Sequence, residues 1–168
     1  KVRTGVGSTR ADVNVSCRGG TRVEIKGVAH TSWMPELTHN EAFRQWALLA
    51  VKELLNNRIP DPAQWKMSYR EARAKDFKLE NLGVPKNSAF KVYLVNLPMF
   101  RGILSHFTQP GKMFADEFSD RLKVIACIEK PNMVHSELFE DVVGEKAWER
   151  VRSLLGSGEE DAQVIFWG

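Results

Sequence analysis

The stretch "GVGSTRADVNVSCRGGTRVEIKG", residues 5–27, contains two short alternating runs around a glycine pair. In "ADVNVS" (11–16) Asp12, Asn14 and Ser16 point one way and Val13 and Val15 the other. In "RVEIK" (22–26) Arg22, Glu24 and Lys26 oppose Val23 and Ile25. Gly19-Gly20 between them signals a hairpin turn. Both polar sets occupy even positions, so they share a face only where paired numbers sum to an even value. That requires an odd loop, for example 18–20 with a left-handed glycine forming a bulge. A two-residue turn would set Ser16 against Val23 and bury polar groups beside apolar ones. The expected face places Ser16 near Arg22, Asn14 near Glu24 and Asp12 near Lys26.

Working outward, residues 38–57 predict a helix. Thr38 and Glu41 read as a capping box, and Phe43, Trp46/Ala47, Ala50/Val51 and Leu54/Leu55 supply its apolar stripe. "RIPDPAQ" (58–64) ends it, since Pro60 and Pro62 exclude helix. Residues 66–88 are basic and weakly periodic, with a short helix expected at 68–76. The remainder predicts a strand at 89–97, a helix from 111 to 122 carrying Phe114, Phe118 and Leu122 on one face, and an apolar strand at 123–129. A helix at 145–156, with Trp148, Val151 and Leu155 inward and Gly156 past its end, and a closing strand at 162–168 complete it. Strands alternating with helices predict a layered sheet covered by helices.

The chain has 168 residues, 43% hydrophobic and 27% charged, an ordinary composition for a domain that buries a core. No apolar run approaches the roughly 18 residues of a membrane span, and "KVRTGVGSTR" lacks the apolar region of a signal peptide. The absence of an initiator Met, with a dense motif directly at the start, raises the expectation of a piece of a longer protein. Cys17 and Cys127 form no C-x-x-C pair, which suits free thiols in a reducing cytoplasm. The net charge of +3 is unevenly distributed. Residues 1–27 carry six Lys/Arg against two acids, 66–101 eight against three, and 129–161 four against nine acids. Two basic segments suggest a surface facing a polyanion such as RNA; a solvated mixed-charge surface is the alternative.

Gly5-x-Gly7 makes a weak nucleotide fingerprint, having no preceding strand, no third glycine and no G-K-[ST]. The even-numbered hairpin face is the better candidate. Asp12 and Glu24 are oxygen ligands suited to Mg²⁺, Asn14 can join them, and Arg22 and Lys26 suit phosphate. A solvent-facing hairpin with cross-strand ion pairs is the competing reading. His30, His39, His106 and His135 show no ligand spacing, and no nucleophilic triad can be assembled.

"STRADVNVSCRGGTRVEIKGV" (8–28) followed by "HNEAFRQWAL" (39–48) resembles the cradle domain of the B and E subunits of tRNA-dependent amidotransferases. "NLPMFRGILSHFTQPGKMFADEFSDRLK" (96–123), "MVHSEL" (133–138) and "GSGEEDAQVIFWG" (156–168) resemble the GAD domain, found inserted in the E-type subunit and in bacterial-type aspartyl-tRNA synthetases. The combination points to the E-type subunit of archaeal-type glutamyl-tRNA(Gln) amidotransferases. Residues 57–88 carry the least of the likeness. The expected fold is α+β: a partial cradle hairpin and helix over 1–60, a linker or start of insertion over 61–88, and a compact α/β GAD domain with a helix-covered sheet over 89–168.

The resemblance implies a cytoplasmic carbon-nitrogen ligase subunit acting in translation. Such a subunit binds Glu-tRNA(Gln), uses ATP and Mg²⁺ to phosphorylate the glutamyl carboxylate, and lets ammonia from an asparaginase-like D-type partner displace the phosphate. Carried onto this chain, it implies Asp12 and Glu24 near the metal, with Arg10, Asn14, Ser16, Arg22 and Lys26 at the ATP phosphates or the tRNA end. Arg101, Lys112, Arg121 and Lys123 are possible contacts to RNA or a partner. No membrane is implied. The fragment alone, lacking the other half of the cradle, is expected to bind neither cofactor and to be inactive. The alternatives are a non-catalytic GAD-type module binding RNA or protein, and part of an aspartyl-tRNA synthetase.

Overall fold

The computed structural model describes residues 10–77, 79, 91–127, 133–138 and 142–167. Strands β1 (Ala11–Val15) and β2 (Val23–Val28) pair antiparallel, with Asn14 opposite Glu24 and Val15 opposite Val23. From Val13 to Val15 the pair sums are even, as the alternation requires, and only Ala11 opposite Val28, beyond the register shift, departs from this. The loop is longer than the three residues expected, however, because Ser16 and Arg22 lie outside both strands. The bulge sits at the far end, between Ala11 and Val13, where Gly27 adopts φ 69°. Gly5 and Gly7 lie outside the described residues.

Helix α1 spans Met34–Arg58, beginning a full turn before the expected capping box. Trp33 is its N-cap without a side-chain cap, and Pro35 in the first turn has no N–H to leave unpaired. Glu41 does not cap: its carboxylate accepts from Arg44 and from Gln45 Nε2. The helix stops at Ile59, which leaves the helical region at φ −123° and ψ 82° ahead of Pro60.

The larger unit is a four-stranded antiparallel sheet in the order β3-β4-β8-β7. Its strands are β3 (Ser68–Ala72), β4 (Val92–Leu97), β7 (Met133–His135) and β8 (Ala162–Trp167). The helix expected over 68–76 is a strand, followed by a 3-10 turn at Ala74–Asp76. Ladder pairing of all five β3 residues with β4 overrides the weak local signal. Helix α3 (Glu145–Leu155) covers one face, where Val92, Leu94 and Ile165 pack with Trp148, Val151 and Phe77. Gly156, at φ 63°, closes it as expected, and Ser157 N–H returns to the Arg152 carbonyl at 3.0 Å.

The other face, through Val95, Leu97, Ala162 and Val164, packs against Leu104 and Ala115. These come from the short hairpin β5 (Phe107–Gln109) and β6 (Lys112–Met113), with the turn before it, and from α2 (Phe114–Ala126). Residues 123–126 belong to α2 rather than to the apolar strand expected there; 128–129 lie outside the described residues. Cys127, left-handed at φ 53°, ends the helix and donates its N–H to the Lys123 carbonyl. Val124 and Ile125 are about four-fifths exposed, so their apolar character reflects no core position. No helix among the described residues is long and apolar enough to cross a membrane.

Candidate functional site

The hairpin face gathers three of the expected residues tightly. Lys26 Nζ lies 3.0 Å from Asp12 Oδ2 and 2.8 Å from Glu24 Oε1, bracketed by two carboxylates on an exposed surface. Gly27 N–H donates to Asp12 Oδ1 at 3.2 Å, a contact that the bulge makes possible. The Lys26 ammonium first, and the Gly27 N–H second, hold the Asp12 carboxyl below the usual carboxylate range. Hydrogen bonds to Glu24 and then to Asp12 raise Lys26 above its ordinary value. Asn14 lies opposite Glu24 on the same exposed face. Ser16, Arg22 and Arg10 are exposed beside it, off the ladder.

Mg²⁺ demands near-octahedral oxygen coordination. This face offers two carboxylates, each with an oxygen already on Lys26, and no three of His, Cys, Asp and Glu cluster among the described residues. As placed, the described residues do not make a Mg²⁺ shell. What they do provide is an exposed ammonium oriented by two acids, with Arg10 and Arg22 in the adjoining segments. Lys26 is charge-compensated by its two acids, so Arg10 and Arg22, with no ion pair among the described residues, are the groups here best suited to phosphate oxygens.

A residue that the sequence reading passed over holds this hairpin in place. Gln45, 6% exposed on α1, accepts from Cys17 N–H at 3.1 Å and donates Nε2 to the Val15 carbonyl at 3.2 Å and to Glu41 at 3.0 Å. Gly20 packs so close that a Cβ there would lie 2.6 Å from Gln45 Oε1. Gln45 lies on the Ala42–Leu49 side of α1, roughly opposite the side that buries Ala47 and Val51, and a polar residue between two apolar ones at helical spacing was the available signal. Neighbouring Arg44 makes a two-pronged bridge to Glu117 on α2, Nε–Oε1 2.7 Å and Nη2–Oε2 2.8 Å. Glu117 raises the Arg44 guanidinium against the opposing effect of burial. α1 is thereby tied to the hairpin on one side and to α2 on the other.

The second basic set is dispersed and largely neutralised. Arg101 pairs with Glu160 at 3.5 Å, and Lys112 and Lys123 both reach Asp120, at 2.9 and 3.3 Å. Arg121 is exposed on α2. His135 is buried in the sheet, and desolvation lowers its pKa.

A family model described as the GatB/GatE catalytic domain matches residues 1–106. The E-type subunit of the glutamyl-tRNA(Gln) amidotransferase of Pyrococcus furiosus is 35% identical over 168 residues, covering 98% of this chain and 26% of that protein. The proteins of the same name from Sulfurisphaera tokodaii and Methanocaldococcus jannaschii are 31% and 32% identical, over 100% and 98% of this chain. The chain spans about a quarter of the length of these curated relatives.

Proposed function

The chain belongs to the family of the GatB/GatE catalytic domain, and on that premise we propose that it is part of an E-type subunit of a tRNA-dependent amidotransferase. The observation that carries this reading is likeness to the E-type subunits along essentially the whole chain, not in one motif. The proposed reaction converts Glu-tRNA(Gln) to Gln-tRNA(Gln) in the cytoplasm. A phosphoryl group passes from ATP to the glutamyl carboxylate, and ammonia supplied by an asparaginase-like D-type subunit then replaces it, releasing inorganic phosphate. A carboxylate is a poor acyl donor, and phosphorylation turns its oxygen into a leaving group.

Within that reaction the hairpin face is the phosphate-facing part of the site. Lys26, kept protonated and oriented by Asp12 and Glu24, meets phosphate oxygens, with Arg10 just before β1, Arg22 just before β2, and Asn14 and Ser16 as hydrogen-bonding supports. ATP and Mg²⁺ belong to the intact subunit, whose other segments supply the missing metal ligands. This chain alone is therefore inactive. Residues 89–168 read as a GAD-type module whose Arg101, Lys112, Arg121 and Lys123 serve binding, not chemistry.

The test uses the full-length subunit with its partner, Glu-tRNA(Gln), ATP and Mg²⁺. Asp12→Ala, Glu24→Ala and Lys26→Ala should each lower Gln-tRNA formation by about 100-fold or more. Wild-type rates in all three, with intact folding by circular dichroism, would remove the hairpin from the site.

A further inference from the structure

Tyr69 and Tyr93 stand together on one face of the four-stranded sheet. Pairing sets Tyr69 opposite Val95 and Tyr93 opposite Glu71, making the tyrosines diagonal neighbours. Their rings lie 6.4 Å apart, inclined at 63°, an edge contact that favours one orientation of the Tyr69 ring. Most of this face is buried beneath Leu104, Ala115 and Phe114. Tyr69, on the edge strand, escapes that cover and is 67% exposed.

Its surroundings are basic. Residues 66–76 carry four Lys/Arg against two acids. Lys66, Arg73, Lys75 and Lys91 are all exposed. Arg73 pairs with Asp76 and Lys91 reaches Glu71 at 3.9 Å, while Lys66 and Lys75 make no ion pair among the described residues. Two further aromatic pairs among the described residues lack this setting: Phe43 and Trp46 lie on a helix with three acids and three Lys/Arg, and His30 and Trp33 lie in a stretch, 29–37, with one acid and no Lys/Arg. An exposed ring with an aromatic neighbour, on a strand flanked by exposed Lys/Arg, matches the recognition of unpaired RNA, in which bases stack on aromatic faces and Lys/Arg follow the phosphates.

We propose that Tyr69, oriented by Tyr93, is a stacking platform for an unpaired RNA base, with Lys66, Lys75 and Lys91 meeting the flanking phosphates. The inference rests on the amidotransferase reading above, which supplies a tRNA. It assigns the contact to the sheet edge, away from the hairpin face.

The test is fluorescence anisotropy of the full-length subunit with transcribed tRNA(Gln) and with a short labelled single-stranded RNA. Tyr69→Ala should weaken binding about 5- to 100-fold, and Tyr69→Phe, which keeps the ring, should stay near wild type. Tyr69→Ala removes no charge, so its salt slope is unchanged. The Lys66→Gln/Lys75→Gln double variant should flatten that slope by about 1–2. Equal affinity of wild type and Tyr69→Ala, with Gln-tRNA formation intact, would overturn the platform while leaving the amidotransferase reading standing. Equal losses in Tyr69→Ala and Tyr69→Phe would also overturn it. So would unchanged RNA affinity accompanied by lost binding of the partner subunit, which would assign the patch to protein docking. A wild-type subunit that binds neither RNA would overturn both readings.

Discussion

Replacing Gln45 with Ala tests the attachment of the candidate site to its scaffold. The side chain satisfies two hairpin backbone groups, the Cys17 N–H and the Val15 carbonyl, and is itself 6% exposed. Val15 is 4% exposed, so its carbonyl, deprived of Gln45 Nε2, has little access to water. A buried polar group left without its partner costs about 1–3 kcal/mol. Cys17 is half-buried and water reaches it more easily, so its N–H contributes at the lower end. Together the two give about 2–4 kcal/mol, concentrated in the hairpin because the hydrogen bonds of Gln45 go to the hairpin and to its own helix. Hydrogen exchange followed by mass spectrometry on the intact subunit reads this directly. Amides in 11–28 should exchange about 30- to 1000-fold faster, since each 1.4 kcal/mol is a factor of ten. Those in 145–167 should be unchanged. An increase below about 3-fold in 11–28, or an equal increase in both segments, would refute the idea that Gln45 is the tether.

Gly20→Ala should destabilise the hairpin by about 1–2 kcal/mol, because the added methyl meets Gln45 Oε1 at 2.6 Å and Cys17 Sγ at 3.1 Å; in a Gln45→Ala background the cost should fall but not vanish, since the Cys17 contact remains, as denaturant titration of the double variant will show. Arg44→Met and Glu117→Gln, combined in a double-mutant cycle, should couple by about 1–2 kcal/mol, since both side chains are more than three-quarters buried and joined by two short hydrogen bonds. Thr108 is fully buried, and its hydroxyl finds no hydrogen-bond partner among the described residues, so Thr108→Val should be neutral or raise the melting temperature. The Asp12–Lys26 pairing has a defined pH window. Asp12 titrates lower in the folded state, so its contribution is present above about pH 4 and lost as pH falls through the folded value. Lys26 titrates higher, so its contribution is present below about pH 10 and lost on going further up. NMR titration of the Asp12 carboxyl should show its midpoint move upward in Lys26→Met.

Strict alternation in residues 11–16 and 22–26 determined by itself that the polar residues share one face. Side-chain period and burial cost admit only even pair sums, and Asn14 opposite Glu24 obeys them. The helix at 34–58 beyond its first turn, the helix at 145–155 and the strands at 92–97 and 162–167 were equally legible, from apolar periodicity, prolines past one helix and a glycine past another. Short segments with weak periodicity were not. Residues 68–72 became a strand because β4, distant in sequence, offered a full ladder, and 123–126 remained helical because α2 simply continued.

Tertiary structure alone decided how the site is held. Alternation placed Lys26 beside Asp12, as found, but did not give the bulge, at which Gly27 N–H closes on the same carboxylate. Alternation likewise could not show that Gln45, some thirty residues along the chain, closes the hairpin. Hydrogen bonds between residues so far apart depend on how α1 packs, and packing is a property of the whole fold that no local pattern encodes.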